Sequence, residues 1–278
     1  MIERGAFQRV FILGMDGAGS FARNANAPHV HSFAERGLLT YEAQAVVPTI
    51  SAECWGSILH GVKPEAHGLT NERADKSSFP DDSHHPSVFR LARERWPHAK
   101  LASFTAWSPI NRGIIEDGAG VYKVSLPDEP LTSAVLDYLT DNPDVKLLFL
   151  QLDEPDGAGH RSGYGADSPE YLQAIEQSDR LIGTILAKIE ELGLAGDSLV
   201  MVVTDHGGGG ISRNDHGSDH PQDKTVFWGC SGPGIEPGTA VPEMTITDIA
   251  AIVAYALDFD APAHWDAKLP ASIFGHGR

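Results

Sequence analysis

Four stretches of the chain are apolar at nearly every position: VFILGM from Val10, LLFLQL from Leu147, SLVMVV at 198–203 and TVFWGC from Thr225. Short continuous runs rich in branched side chains predict strands buried on both faces, because a half-exposed strand would alternate apolar with polar. LASFT from Leu101 and the stretch Ala43–Val47 predict two further strands. Between these runs the apolar positions recur at helical spacing: NAPHVHSFAERG, SAECWGSILHG, PSVFRLARERW, LTSAVLDYLTD, the long SPEYLQAIEQSDRLIGTILAKIEELG and ITDIAAIVAYALD. Pro28 near the start and Gly37 just past the end punctuate the first of these helices.

Strands that alternate with helices imply βαβ units. The expected fold is α/β, a doubly wound and mainly parallel sheet with helices on both faces. No composition shift or linker divides the chain, so residues 1–278 are read as one domain, and that length suffices for one sizeable core. The segments 81–86 and 232–238 are read as surface connections.

In open α/β sheets ligands bind outside the carboxyl ends of the strands. The polar residues just after the predicted strands therefore form the candidate site. They are Asp16, then Thr49 and Ser51, then Asp153, Asp156 and His160, then Asp205 and His206, with Asp215, His216, Asp219 and His220 in the loop that follows four glycines. Carboxylates and imidazoles together suit zinc, with manganese or ferrous iron as alternatives.

Each residue also has an ordinary use. An Asp after a strand commonly caps a helix or forms a turn. Asp156 and His160 share a face if DGAGH is helical, but its two glycines suit a loop equally well. Asp205 and His206 would point to opposite sheet faces if the strand continued, so both reach one ion only if the backbone turns. The glycines at 207–210 supply that freedom, since each tolerates positive φ and close backbone approach. Thr49 or Ser51, at the entry to a helix, is ordinarily an N-cap, yet a hydroxyl there also lies where free N–H groups attract an anion. Ser51 is closer to the helical run and is the first choice for a nucleophile.

Charge narrows the partners. A formal net charge of −17 argues against a nucleic-acid polymer as ligand and means that a phosphate substrate needs imported positive charge. No apolar run approaches the ~18 residues of a membrane span, so no membrane partner is expected. The first residues lack the pattern of a signal peptide, which gives a cytoplasmic expectation. Cys54 and Cys230 are too few for a disulfide framework or a Cys-rich zinc site.

These residues resemble the alkaline phosphatase superfamily, most closely its type I phosphodiesterase/nucleotide pyrophosphatase branch. The resemblance rests on FILGMDG from Phe11, PTISAECWGSILHGVKPEAHGL from Pro48, LDEPDGAGHRSG from Leu152, VTDHGGGG from Val203 and DHGSDHPQDKTVFWGCSGPGI from Asp215, in the family's order. It implies two divalent metal ions, usually zinc. Asp16, Asp205 and His206 would hold one, with Ser51 as its nucleophilic ligand. Asp156, His160 and His216 would hold the other, with His220 as the runner-up for His216, and with Thr49 and Asp153 as supporting residues.

The resemblance further implies a phosphoseryl intermediate that a metal-activated water resolves. The formal charges of two dications, three aspartates and a Ser51 alkoxide cancel, so a phosphodiester monoanion is not repelled. A dianionic monoester would gain from a further cation, for which Arg23, Arg73, Arg112 and Arg161 are candidates that sequence does not place. Cys54 departs from the family pattern, which often has Asn three residues after the nucleophile. The expected activity is hydrolysis of a small-molecule phosphate ester, with a phosphodiesterase favoured. The alternatives are a monoesterase or phosphonate hydrolase with the same site, or a catalytically weak metal-binding member of the fold. Oligomeric state is left open.

Overall fold

The apolar runs become strands because each is covered on both sides. The computed structural model describes residues 1–275 of the chain. Its strands are β1 (Arg9–Met15), β2 (Leu38–Gln44), β3 (Lys100–Thr105), β4 (Tyr122–Ser125), β5 (Val145–Leu152), β6 (Ser198–Thr204) and β7 (Thr225–Ser231). They form one sheet in the order β2-β7-β6-β1-β5-β3-β4. The pairs β1–β5, β1–β6, β3–β5 and β3–β4 are parallel, and β7 runs antiparallel to both neighbours. β6 is buried at every position and β5 at all but Lys146, which explains the absence of alternation in their sequences.

The longer helices are α1 (Ser51–His60), α2 (Val88–Arg95), α3 (Asp128–Asp141), α4 (Glu154–Ser162), α5 (Pro169–Glu191) and α6 (Asp248–Ala256). Alternate strand residues feed two cores. Val10, Ile12, Leu147 and Phe149 pack on one face with Trp55 and Ile58 of α1 and Ile252 of α6. Phe11, Leu13, Leu148 and Leu150 pack on the other with Tyr171, Ile175 and Ile182 of α5. Each such fully buried aliphatic or aromatic side chain contributes about 1.5–3 kcal/mol relative to exposure. No helix among the described residues is long and apolar enough to cross a membrane.

Four local expectations need adjustment. The second strand is Leu38–Gln44 rather than 43–47; it is an edge strand with a register shift between Thr40 and Ala43, so its polarity pattern is broken. The helix expected over 26–37 is two short pieces, Pro28–His31 and Phe33–Arg36, that meet at Ser32. β4 went unread because YKVS is a four-residue edge strand with little apolar signal. DGAGH, left open between helix and loop, is helical and lies within α4.

Register sets up the site. Met15 pairs with Leu152 on one side and Thr204 on the other. Asp16, Asp153 and Asp205 therefore leave three adjacent strands at one level, about 5 Å apart from strand to strand.

Candidate metal centre

The Asp16 carboxylate is held by one oxygen only. Its Oδ2 accepts hydrogen bonds from Trp55 Nε1 (2.7 Å) and Gln151 Nε2 (2.9 Å), while Oδ1 is buried without a hydrogen-bond partner. Asp205 repeats the arrangement: Oδ1 accepts the Gly17 N–H at 3.0 Å and Oδ2 is left without one. Between these two orphaned oxygens stands His206, whose Nε2 lies 3.5 Å from Asp16 Oδ1 and 3.4 Å from Asp205 Oδ2. Ser51 Oγ is 3.2 Å from the same nitrogen. As the first residue of α1, Ser51 holds that hydroxyl at the positive end of the helix.

A second group sits beside the first. The N-terminus of α4 is fixed by Asp128, which accepts the Asp153 N–H at 2.9 Å and the Glu154 N–H at 3.1 Å. Four residues apart on this helix, Asp156 and His160 share a face, with Asp156 Oδ2 and His160 Nε2 separated by 3.3 Å. His216 Nε2 approaches Asp156 Oδ1 at 3.7 Å, and its ring stacks on that of His206 with centroids 3.9 Å apart. Donor atoms of Asp156, His160 and His216 lie within 4.8 Å of one another, as do those of Asp16, Asp156 and His206. Asp156 thus stands between the two groups.

The chemistry of this donor set fits divalent cations. All three imidazoles place Nδ1 against a backbone carbonyl: His206 on Gly207 (2.8 Å), His216 on Thr49 (2.6 Å) and His160 on Asn214 (2.9 Å). Nδ1 must donate there, so in the neutral rings Nε2 carries the lone pair that a metal requires. Burial pushes His206 and His216 down, towards that neutral form. Burial and the Asp156 charge raise Asp205 to about 8, and burial, Asp205 and Asp156 raise Asp16 well above the usual carboxylate range. Asp153 is likewise pushed up to about 7 by burial and Asp156. Asp156 goes the other way, because hydrogen bonds from His160 and Tyr164 and the nearby imidazoles outweigh its burial. His160 in turn is lifted to about 9 by Asp156. Two adjacent buried carboxylates, Asp16 and Asp205, each with an unpartnered oxygen, are costly unless cations compensate them.

The remaining candidates take other places. Thr49 Oγ1 donates to the Ser218 carbonyl (2.8 Å) and accepts the Gly217 N–H (2.9 Å), so it anchors the loop that presents His216. His220 turns its Nδ1 to the Gln222 N–H (3.2 Å) and caps the short helix Pro221–Lys224. Asp153 accepts from Gln151 at 2.9 Å. Asp215 bonds the His216 N–H at 2.9 Å from an exposed position, and Asp219 is also exposed.

The glycines at 207–210 make unequal use of the two freedoms expected of them. Only Gly209 has positive φ, +86°. The others are required by close approach: a Cβ on Gly207 would overlap the Gln222 carbonyl oxygen, one on Gly208 would lie 2.6 Å from the Tyr164 ring, and one on Gly210 would lie 2.5 Å from His220 Cβ. Asp223 gathers this loop by accepting from the Gly210 N–H (2.9 Å), the Ser218 N–H (3.0 Å) and the Ser218 hydroxyl (2.6 Å). Gly207→Ala is expected to destabilise the fold by about 1–3 kcal/mol, since backbone rather than a mobile side chain must give way. Urea denaturation checks this, and an unchanged midpoint would show that the loop yields freely.

Sequence reasoning passed over Trp55, Gln151, Tyr164 and Asn71. Tyr164 donates to Asp156 Oδ1 at 2.6 Å. Asn71 Oδ1 accepts the N–H of Ala52, next to Ser51, at 2.9 Å. A Gln inside an apolar strand was the one visible signal among them.

Comparison with known proteins gives the family and the fold. The profile of the type I phosphodiesterase / nucleotide pyrophosphatase family matches residues 10–261. The chain is 27% identical over 198 residues to ectonucleotide pyrophosphatase/phosphodiesterase family member 1 of Mus musculus, covering 65% of this chain and 21% of that protein. It is 26% identical over 215 residues to the bis(5'-adenosyl)-triphosphatase ENPP4 of Homo sapiens, covering 72% of this chain and 47% of that protein. The chain thus spans between a fifth and a half of these relatives. Among solved structures, murine ectonucleotide pyrophosphatase / phosphodiesterase 5, as an inactive variant in complex with AMP, superposes with a TM-score of 0.76 at 16% identity, covering 92% of this chain and 96% of that one. A 2-O GAG sulfatase gives 0.74 at 13% identity, covering 98% and 75%. At these identities the structures speak to the fold, which is alkaline phosphatase-like, while the family match covers most of the chain: it belongs to the type I phosphodiesterase / nucleotide pyrophosphatase family.

Proposed function

We propose that the chain hydrolyses small phosphodiesters of the nucleotide pyrophosphatase type, with Ser51 as nucleophile and two divalent ions, zinc first, as cofactors. Asp16, Ser51, Asp205 and His206 would hold one ion, and Asp156, His160 and His216 the other. The observation that carries this reading is the Ser51 hydroxyl, 3.2 Å from His206 Nε2 and beside the orphaned oxygens of Asp16 and Asp205. Bound ions would supply Lewis acidity and compensate negative charge on the oxygens around the attacked phosphorus.

The protein's own groups do the rest. Ser51 Oγ and His206 Nε2, 3.2 Å apart, both face the open oxygens of Asp16 and Asp205, so the imidazole fixes the direction from which the hydroxyl would meet the ion. The α1 N-terminus favours the anion that forms there. Asn71, tied to Ala52 through its Oδ1, makes no hydrogen bond through its NH₂ among the described residues, which leaves that group to donate to a phosphoryl oxygen.

Charge supports a diester. Arg23 pairs with Glu42 at 3.0 Å, Arg112 with Asp75 at 2.6 Å, and Arg161 with Glu154. Arg73 donates to the Gly68 carbonyl at 2.9 Å and lies over Phe79. Each of the four has a partner of its own, so none is held in reserve for the second charge of a monoester dianion. A charge-assisted hydrogen bond is worth about 1.5–3 kcal/mol, so kcat/KM for bis-p-nitrophenyl phosphate is expected to exceed that for p-nitrophenyl phosphate by ~10-fold or more. Faster turnover of the monoester would count against the diesterase reading.

A further inference from the structure

We propose that Gln151 is a positioning residue that ties the metal-ligating carboxylate of Asp16 to the backbone leaving β3, so that one buried amide sets both. The proposal rests on the functional reading above.

Gln151 is fully buried on β5, one residue before the strand end. Its Nε2 donates to Asp16 Oδ2 and to Asp153 Oδ1, each at 2.9 Å, and its Oε1 accepts the Trp107 N–H at 2.8 Å. Three adjacent strand exits, those of β1, β5 and β3, are thereby joined through one side chain. Its orientation is unambiguous: turned over, the amide would face its oxygen to two carboxylates and its NH₂ to an N–H.

The consequence for Asp16 is geometric. Gln151 and Trp55 together engage Oδ2, so Oδ1 alone is left, and it is the oxygen that faces His206 at 3.5 Å. A carboxylate with one oxygen so held can offer only the other to a metal. On the opposite side, Ala106 and Ser108 flank Trp107 and line a cavity of about 600 Å³ together with Asp128 and Asp153. The Ala106 N–H bonds the Gln151 carbonyl at 3.0 Å, so the cavity wall is fastened to the same residue twice. Glu in this place keeps an acceptor for Trp107 but loses both donors, and Met loses all three bonds at nearly the same length.

The test compares wild type, Gln151→Met and Gln151→Glu as full-length zinc-loaded protein. Readouts are zinc affinity by competition with a fluorescent chelator, hydrogen exchange at the Trp107 amide, and turnover of bis-p-nitrophenyl phosphate. Loss of a residue that orients a ligand costs about 10–100-fold in metal affinity, and Gln151→Met is expected to show this with a lower kcat. It should also speed Trp107 exchange at least about tenfold, whereas Gln151→Glu keeps that amide protected. A purely structural role would not separate the two variants in this way. Zinc affinity within twofold of wild type in Gln151→Met, or equal Trp107 exchange in both variants, overturns the proposal while wild-type zinc binding and turnover leave the functional reading standing. Absence of zinc uptake by the wild type would overturn both.

Discussion

Ser51→Ala is expected to lower kcat on bis-p-nitrophenyl phosphate by at least about 10³-fold, because a methyl group cannot attack phosphorus and no second hydroxyl is placed to replace it. Thr49 is the only rival that sequence raised, and both lone-pair and proton directions of its Oγ1 are already committed to Ser218 and Gly217. Thr49→Ala should therefore act indirectly, by loosening the loop that carries His216, with a smaller loss of about 10–100-fold. The folded state of Ser51→Ala should change little, since one hydrogen bond to His206 is lost, worth about 1 kcal/mol. Acid-quenched wild type with this diester should carry a p-nitrophenylphosphoryl group, one p-nitrophenolate having left, on the peptide containing Ser51, read by mass spectrometry. If Thr49→Ala were inert and Ser51→Ala retained a tenth of the activity, the assignment of the nucleophile would be wrong.

The contrast between these two hydroxyls shows what sequence carries. Strands β1, β5, β6 and β7 were legible because both faces of each are buried, and the parallel order then places Asp16, Asp153 and Asp205 at one edge. Local spacing also sufficed for the partnership of Asp156 and His160 once DGAGH proved helical. Contacts between distant segments were not legible. Trp55 reads as core and is core, yet its indole N–H is spent on Asp16; Tyr164 packs under the glycines and bonds Asp156. His216 and His220 look alike in sequence because the distinction lies in the loop's path, which Asp223 fixes through three hydrogen bonds. The glycine run was legible in part for a related reason. Its composition allows positive φ and close approach alike, and the neighbours that make close approach the requirement, Gln222, Tyr164 and His220 against Gly207, Gly208 and Gly210, come from distant segments or from the loop's path.

Removing metal should abolish activity and also lower thermal stability, and the second effect is the more discriminating. Without cations the site keeps buried Asp16 and Asp205 beside half-buried Asp153 and Asp156, with Asp16 Oδ1 and Asp205 Oδ2 unpartnered. Part of the cost is avoided by protonation, as the raised positions of Asp16, Asp153 and Asp205 show, but a protonated acid still leaves buried acceptors unmet. An ion that binds the native chain and not the unfolded one stabilises by RT ln(1 + [L]/Kd), about 2.7 kcal/mol at a hundredfold excess over Kd. Two such ions would contribute about 5 kcal/mol. At about 2 °C per kcal/mol for a chain of this size, chelation is expected to lower Tm by about 10 °C, with recovery on adding zinc. Calorimetry of the chelated and zinc-restored protein, with bis-p-nitrophenyl phosphate turnover followed in parallel, measures both effects. A surface ion would restore neither quantity together, whereas ions held by the Asp16 and Asp156 groups must restore them in step. Equal Tm before and after complete chelation would mean that these carboxylates are satisfied by protons alone, and the two-ion reading would fall.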